Sequence, residues 1–327
     1  IFPTMKPKQM TTATASLIPT KNSSWLSLRE TVEKEIMNTD VLCEVLFLPG
    51  QELSAHADIE VALNMMRSFE ARYSRFKTGN DLWELNTTSS LQLTPEFFHI
   101  LETAQKFHHE TSGLFAPSIL PLLEKEGYTS QPYHDRLVRE HKFSELLLDK
   151  ETLVATKPAS LLIDLGGIGK GYIVDRVADF LKQHFDNLLV DAGGDIFAKG
   201  GNKKESYPYW AIEVEHPLLG QSSDILLLLT DMAVATSGKN RRNWKKNGQE
   251  KHHLIHPDTE QRSQSDLLSV TVVAPSTVEA DIWAKTLFLL GSDKAEMLAR
   301  QKKIPAIFIK NSGQVISNPF ISPYVWN

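Results

Sequence analysis

The chain has 327 residues, of which 41% are hydrophobic and 23% are charged, so it can bury a large core in one big domain or two smaller ones. Its 40 acidic and 35 basic residues give a formal net charge of -5 without long blocks of one sign, which argues against a protein that binds duplex nucleic acid or an anionic membrane surface. The single cysteine, Cys43, excludes an internal disulfide and a multi-cysteine zinc site.

Residues 1–30 are polar and lack a clear period, which predicts a flexible lead-in, and residues 31–327 are predicted to form a single domain. No apolar run reaches the ~20 residues that a membrane-spanning helix needs. The chain starts at Ile1 without a basic and then apolar leader, which indicates a missing or processed N-terminus. If a leader has been removed, we expect the exported, periplasmic side of a bacterial membrane, and otherwise the cytoplasm.

The first half of the chain contains one predicted strand and two predicted helices. An apolar run over 41–48 is followed by Pro and Gly, the pattern of a buried strand and a turn. Apolar residues recur at intervals of three and four across 55–73, which places them on one helical face. Thr94 is predicted to cap a helix that begins at Pro95 and runs to about His109.

The second half alternates predicted strands with turns and helices. A helix over 172–184 follows the first of these strands, and Ser276 with Glu279 matches a capping box for a helix that runs to Leu290. The predicted strands are 160–163, 187–191, 209–215, 225–229, 269–274 and 305–309. Together they predict an α/β (α+β) fold with a mixed sheet and flanking helices.

A glycine-rich segment, residues 163–172, holds four glycines and Lys170 between a predicted strand and a predicted helix. Glycines let backbone amides approach a phosphate closely, and a helix start adds partial positive charge, so a diphosphate could bind here. The segment is not a dinucleotide fingerprint, and Gly171 stands where a Walker loop needs Ser or Thr. A plain strand-to-helix turn explains this segment about equally well.

Three further clusters are ambiguous when each is taken alone. Residues 191–195 follow a predicted strand, where α/β sheets commonly bind ligands, but a glycine turn with a capping aspartate explains them better. Residues 235–246 mix hydroxyls with five bases and are best explained as a solvated basic loop. His252 and His256 have helical spacing, but Pro257 follows them, which argues against a helical zinc pair.

Asp281 and Lys285 are four residues apart on the helix that Ser276 opens. They therefore share a face of that helix. By itself this spacing indicates an ordinary surface ion pair, worth about 0.3–0.5 kcal/mol.

Taken in order, these segments resemble the successive motifs of the ApbE-like FAD:protein FMN transferase (flavin transferase) family. The resemblance spans roughly residues 37 to 320, and its specificity lies in the order of the motifs. The matching segments are 73–76 with 85–86, 113–117, 164–176, 191–195, 235–238, 253–257 and 269–281.

The resemblance implies a T-fold-like mixed α/β architecture and FAD as the donor substrate. The expected activity is cleavage of the FAD diphosphate and attachment of FMN, through a phosphoester bond, to a Ser or Thr of an acceptor flavoprotein. Two alternatives stay open at this point: a pyrophosphatase that releases FMN and AMP, and a protein that binds FAD without catalysis. An oxidoreductase is more distant because the sequence has no nicotinamide fingerprint.

The resemblance also assigns site residues by position. His253 is implied near the reacting phosphate, and a magnesium ion is implied on the backbone carbonyl of Gly167 and the carboxylate of Asp281. Asp281 is expected to hold the metal or to help deprotonate the acceptor hydroxyl, and His253 to orient or relay the proton. The implied FAD-binding residues are Met37, Phe76, Leu114, Phe115, Ala116, Asp164, Lys170 and Ile255. These roles require the turn with Lys170 and the helix with Asp281 to meet at one cleft.

Three positions depart from the family pattern. Lys285 stands where the family often has a metal-binding Thr, and a protonated lysine has no lone pair to offer a metal. Lys285 is expected to lie against the diphosphate and take over part of the metal's electrostatic role, which leaves the need for Mg²⁺ open. Thr286 points about 100° away on the helix and is a poor substitute. Ala116 and His256 each replace a frequent Asp, which predicts weaker ligand contacts or altered specificity.

Overall fold

The structure, a computed structural model, describes residues 28–125, 142–202, 208–217, 221–239, 243–246, 249–252, 255–257 and 261–326. Its α-helices are α1 (Glu52–Tyr73), α2 (Asp81–Thr87), α3 (Pro95–Glu110), α4 (Leu120–Lys125), α5 (Gly169–Leu181), α6 (Thr277–Leu290) and α7 (Ser292–Lys302). Short 3-10 helices cover Pro117–Ile119, Phe143–Glu145 and Ser322–Tyr324. In this part of the chain, no helix is both long enough and apolar enough to cross a membrane.

The strands fall into one large sheet and several small ones. They are β1 (Leu28–Ile36), β2 (Thr39–Phe47), β3 (Ser90–Gln92), β4 (Leu147–Asp149), β5 (Val154–Thr156), β6 (Asn187–Ala192), β7 (Ile196–Lys199), β8 (Trp210–His216), β9 (Gln221–Leu229), β10 (Met232–Gly238), β11 (Asn243–Lys246), β12 (Gln249–His252), β13 (Ile255–His256), β14 (Gln261–Arg262), β15 (Leu267–Ala274), β16 (Ala306–Lys310) and β17 (Val315–Ser317). Strand β1 begins at Leu28, so the last three residues of the predicted lead-in belong to the sheet.

The large sheet has eight strands in the order β1-β2-β6-β7-β10-β15-β16-β17. Every neighbouring pair in it is antiparallel, with Cys43 opposite Val190 and Thr236 opposite Thr271. The small sheets are β3-β5-β4, β8-β9, β11-β12 and β13-β14.

The two faces of the large sheet bury different layers. Alternate side chains of a strand point to opposite faces, so Ala233 and Ala235 join the core with the helices while Val234 lies in a second core. The helical layer is built around α1, α3, α5 and α6. The second layer is the β8-β9 hairpin, with Trp210 and Leu227 buried against the sheet. The predicted α/β (α+β) class with flanking helices is therefore confirmed.

The three strongest helix predictions are also confirmed. Helix α1 covers the 55–73 pattern, and Thr94 Oγ1 accepts a hydrogen bond from Phe97 N, 3.3 Å away, at the start of α3. Ser276 Oγ likewise accepts from Glu279 N at 3.2 Å, and Gly291 ends α6 with φ of 74°. Only glycine adopts that φ without strain.

The predicted strand at 160–163 is wrong. The side-chain amide of Asn86 takes the place of a strand partner: it donates to Ile163 O and accepts from Ile163 N, each at 2.8 Å. Residues 161–163 are buried, and the segment joins no sheet. Without this strand there is no strand–helix–strand crossover into β6, and for that reason the sheet is antiparallel where we predicted a mixed one.

Helices α5 and α6 approach each other closely, and this contact positions the site. A Cβ built on Gly171 would lie 2.8 Å from both N and Cα of Val278, so another residue there would push the helices apart. The carboxylate of Asp175 accepts hydrogen bonds from the backbone N–H groups of Thr277, at 2.7 Å, and Val278, at 3.0 Å. Asp175 on α5 therefore caps the N-terminus of α6.

Candidate functional site

A cleft of about 490 Å³ opens where the glycine-rich turn meets α6. Its walls come from the β1-β2 turn, the start of α5, the β6-β7 connection, β8, the end of β10, and α6. The lining residues are Asn38, Thr39, Gly166, Lys170, Gly193, Asp195, Glu215, Thr236, Ser237, Gly238, Asp281 and Lys285. Lys170 and Asp281, which are distant in sequence, thus line the same cleft, as the family resemblance requires.

Two lysine–aspartate ion pairs face this cleft. The Lys170 ammonium donates to Asp195 Oδ2, and the Lys285 ammonium donates to Asp281 Oδ1. Both aspartate side chains are almost fully buried, with 1% and 4% exposed, while each lysine side chain keeps 16%. Because both pairs are shielded from water, their charges act more strongly on a bound ligand than surface charges would.

The buried carboxyl of Asp281 has a perturbed pKa. Burial raises the pKa of its carboxyl above the ordinary value, and the nearby charge of Asp195 raises it further. The ammonium groups of Lys285 and Lys170 oppose these effects on the pKa. Asp281 Oδ2 is buried and makes no hydrogen bond. A buried carboxylate with a raised pKa and an open oxygen is suited to accept a proton from a substrate.

A second group of predicted residues adjoins the cleft through Gly166. Asp164 Oδ1 accepts a hydrogen bond from Gly166 N at 3.0 Å and lies 3.8 Å from Arg75 Nε. The Arg75 guanidinium stacks over the ring of Phe76, 4.7 Å from its centroid. Phe76 is 55% exposed, so part of its ring is left open as apolar surface.

The 114–116 segment packs against the glycine-rich turn. Phe115 is buried, and a Cβ built on Gly167 would lie 3.1 Å from its ring, so the turn packs against this ring. His108 Nδ1 donates to the carbonyl oxygen of Phe115 at 2.7 Å, which holds the segment on α3. Leu114 and Ala116 on either side are half-buried.

The remaining predicted site residues are not among the described residues that line the cleft. Met37 is half-buried in the β1-β2 turn, with φ of 56°, beside the cleft residues Asn38 and Thr39. Ile255 is buried in β13 and is not among the described residues that line the cleft. At the glycine-rich turn it is Gly166, and not Gly167, that lines the cleft. His253 lies outside the described residues.

Most of the residues that line the cleft were not predicted as site residues. Asp195 belongs to one of the glycine clusters described in the sequence analysis, but its ionic partner Lys170 is 25 residues away. The sequence signal that could have paired them is the presence of opposite charges in two successive glycine turns. Thr39 and Glu215 carry no local signal at all. They reach the cleft because β2 begins there and β8 ends there.

Comparisons with known proteins identify the family of this chain. The model of the ApbE family matches residues 37–308. A protein from Haemophilus influenzae named FAD:protein FMN transferase is 30% identical over 275 residues, which cover 78% of this chain and 78% of that protein. A protein of the same name from Treponema pallidum is 26% identical over 298 residues, covering 82% of this chain and 81% of its own length.

Solved structures share the fold. The crystal structure of the ApbE protein from Thermotoga maritima superposes with a TM-score of 0.81 at 23% identity, covering 92% of this chain and 100% of that one. The flavin transferase ApbE from Vibrio cholerae superposes with a TM-score of 0.78 at 22% identity, covering 91% and 99%. Family model, relatives and fold agree over the same part of the sequence, and the chain belongs to the ApbE family.

Proposed function

We infer that this protein is an FAD:protein FMN transferase, an enzyme that moves FMN from FAD to a Ser or Thr hydroxyl of an acceptor flavoprotein and releases AMP. The observation that carries this inference is the meeting of Lys170, Lys285 and the buried carboxylate of Asp281 in one cleft. Two relatives bear the name of this activity.

The positive charges of the cleft and the exposed ring of Phe76 support the binding of FAD. The diphosphate carries negative charge, which the ammonium groups of Lys170 and Lys285 neutralise at the cleft. No side chain caps the N-terminus of α5, and a helix start favours an anion. The exposed ring of Phe76 offers the apolar contact that a flavin ring needs.

The transfer requires one bond to form and one to break. The acceptor hydroxyl oxygen attacks the phosphorus of the FMN half, the bond from that phosphorus to the bridging oxygen breaks, and AMP leaves with the bridging oxygen. Asp281 Oδ2 is the open acceptor for the hydroxyl proton. The two lysines stabilise the charge that develops on the phosphate oxygens. The role of His253 near the reacting phosphate stays a prediction.

The residues of the cleft do not fit the magnesium ion that the family resemblance implies. Asp281 Oδ1 already accepts a hydrogen bond from Lys285, and a second cation at the same carboxylate would be repelled by that ammonium. Asp281 Oδ2 is left as one oxygen ligand, so the other positions of a near-octahedral Mg²⁺ shell would have to come from substrate phosphates, backbone carbonyls and water. Across the described parts of the chain, no three His, Cys, Asp or Glu side chains gather where they would hold a metal.

A transfer assay tests the function. Incubation with FAD and a candidate acceptor flavoprotein should increase the acceptor mass by one FMN, measured by intact-protein mass spectrometry. Asp281→Asn should lower the transfer rate about 100-fold or more, because the proton acceptor is lost. Glu213→Gln, on the exposed side of β8, is the matched control and should transfer normally. Release of AMP without any acceptor would identify a hydrolase instead, and FAD binding without turnover would contradict both.

A further inference from the structure

The position of the Lys285 ammonium decides what balances the charge of the cleft. Lys285 and Asp281 are one helical turn apart on α6, and the ammonium donates to Asp281 Oδ1. The pair is not the surface contact that its spacing indicates, because both side chains face the cleft and are largely removed from water. Removal of one partner of an ion pair in this setting is costly, because it leaves the other charge buried and uncompensated.

Thr286, which follows Lys285 in the sequence, does not offer its hydroxyl as a metal ligand in the cleft. Thr286 is fully buried, and its hydroxyl donates to Ile282 O at 2.8 Å inside α6. It lies about 100° around the helix from Lys285, away from the cleft lining. Asp281 is thus the one carboxylate that α6 presents to the cleft, and the ammonium of Lys285 is already bound to it.

The two ammonium groups offset the two buried carboxylates without a metal ion. Lys170 and Lys285 face Asp195 and Asp281, and Glu215 adds one exposed negative charge at the rim. A bound diphosphate brings further negative charge, and each ammonium can donate to a phosphate oxygen while it stays beside its aspartate, because it has three N–H donors. Lysine suits this sharing because its ammonium is a compact charge on a flexible stem.

We propose that Lys285 is the resident cation of this cleft: its ammonium, in place of a divalent metal ion, neutralises Asp281 in the free protein and the FAD diphosphate in the complex. The proposal rests on the function inferred above and names the means by which that site binds its donor substrate. FAD binding is accordingly independent of divalent metal in this protein, and replacing Lys285 by a residue with an oxygen ligand creates a dependence on metal.

Titration of the full chain with FAD, with and without Mg²⁺, tests the proposal by affinity alone. The dissociation constant of the wild type should be the same in EDTA and in Mg²⁺, within about twofold. Lys285→Thr should bind FAD about tenfold more weakly in EDTA and recover with Mg²⁺. Lys285→Met, which removes the charge and adds no oxygen, should lose affinity without recovering. Lys294→Thr, an exposed lysine of α7, should match the wild type.

A second readout uses Mn²⁺ without any flavin. Electron paramagnetic resonance should find no bound Mn²⁺ in the wild type and bound Mn²⁺ in Lys285→Thr. The proposal is overturned if Mg²⁺ tightens FAD binding to the wild type about tenfold, or if the wild type binds Mn²⁺ as well as the variant does. The wild-type measurements decide even if a variant does not fold. Failure of the wild type to bind FAD in either buffer would contradict the proposed function. The Mn²⁺ comparison would still test whether Lys285 takes the place of a divalent metal ion.

Discussion

Lys170 serves two purposes, and substitutions can separate them. Its ammonium is the ion-pair partner of the buried Asp195 and also a cation for the FAD diphosphate. Lys170→Met should therefore lower the free energy of unfolding by about 3–5 kcal/mol, because a buried carboxylate loses its counterion. Urea unfolding measures this loss.

The double variant isolates the binding role of Lys170. Lys170→Met with Asp195→Asn removes both charges, so much of the lost stability should return. FAD affinity should stay low in the double variant, because the cation that meets the diphosphate is still missing. A double variant that binds FAD as well as the wild type would show that Lys170 is purely structural.

Individual site residues were predictable only where family motifs mark them. Asp281, Lys170 and Lys285 were named from the sequence and do line the cleft. Helical spacing alone assigned Asp281 and Lys285 to a surface pair, since spacing carries no information on burial. Asn38 and Glu215 were out of reach, because their place at the cleft depends on where strands of different sheets end.

At the scale of elements, α5 and α6 act as one unit that holds the two halves of the site together. The carboxylate of Asp175 binds the first backbone N–H groups of α6, and Gly171 lets the helices touch. Because Lys170 is on α5 and Asp281 on α6, this contact sets the distance between them. Asp175 does not line the cleft and is therefore a positioning residue.

Removal of the cap should loosen the site. Asp175→Ala leaves two N–H groups at the start of α6 without their acceptor and should cost about 1–3 kcal/mol of unfolding free energy. Transfer activity should fall at a temperature where the variant is still folded, with a larger effect on kcat than on KM for FAD. Asp179→Ala, one turn further along α5 and exposed, should change neither quantity. Equal activity loss in both variants would contradict the positioning role.

Elements with a strong local signal were predictable, and those that depend on distant partners were not. Thr94 and Ser276 mark helix starts by capping chemistry that is written in adjacent residues. The segment 160–163 has the apolar composition of a strand, but its partner is the side chain of Asn86, 77 residues away. No pattern within the segment distinguishes that partner from a neighbouring strand.

At the scale of the whole molecule, the large sheet separates two cores, and Cys43 reports on its integrity. The thiol is fully buried on β2, where burial raises its pKa to about 12. Since the thiolate is the reactive form, Cys43 should resist alkylation by iodoacetamide at pH 8 in the native protein. It should react fully once urea unfolds the chain, in step with the loss of circular dichroism. Rapid alkylation of the folded protein would show that the sheet opens on its own.

The most direct test of the proposed function is a crystal structure of the protein with FAD bound. The diphosphate should lie in the cleft between the Gly166 turn and α6, with phosphate oxygens within hydrogen-bonding distance of Lys170 Nζ and Lys285 Nζ and the FMN phosphorus beside Asp281. FAD bound elsewhere on the molecule, or a diphosphate in contact with neither lysine, would contradict it.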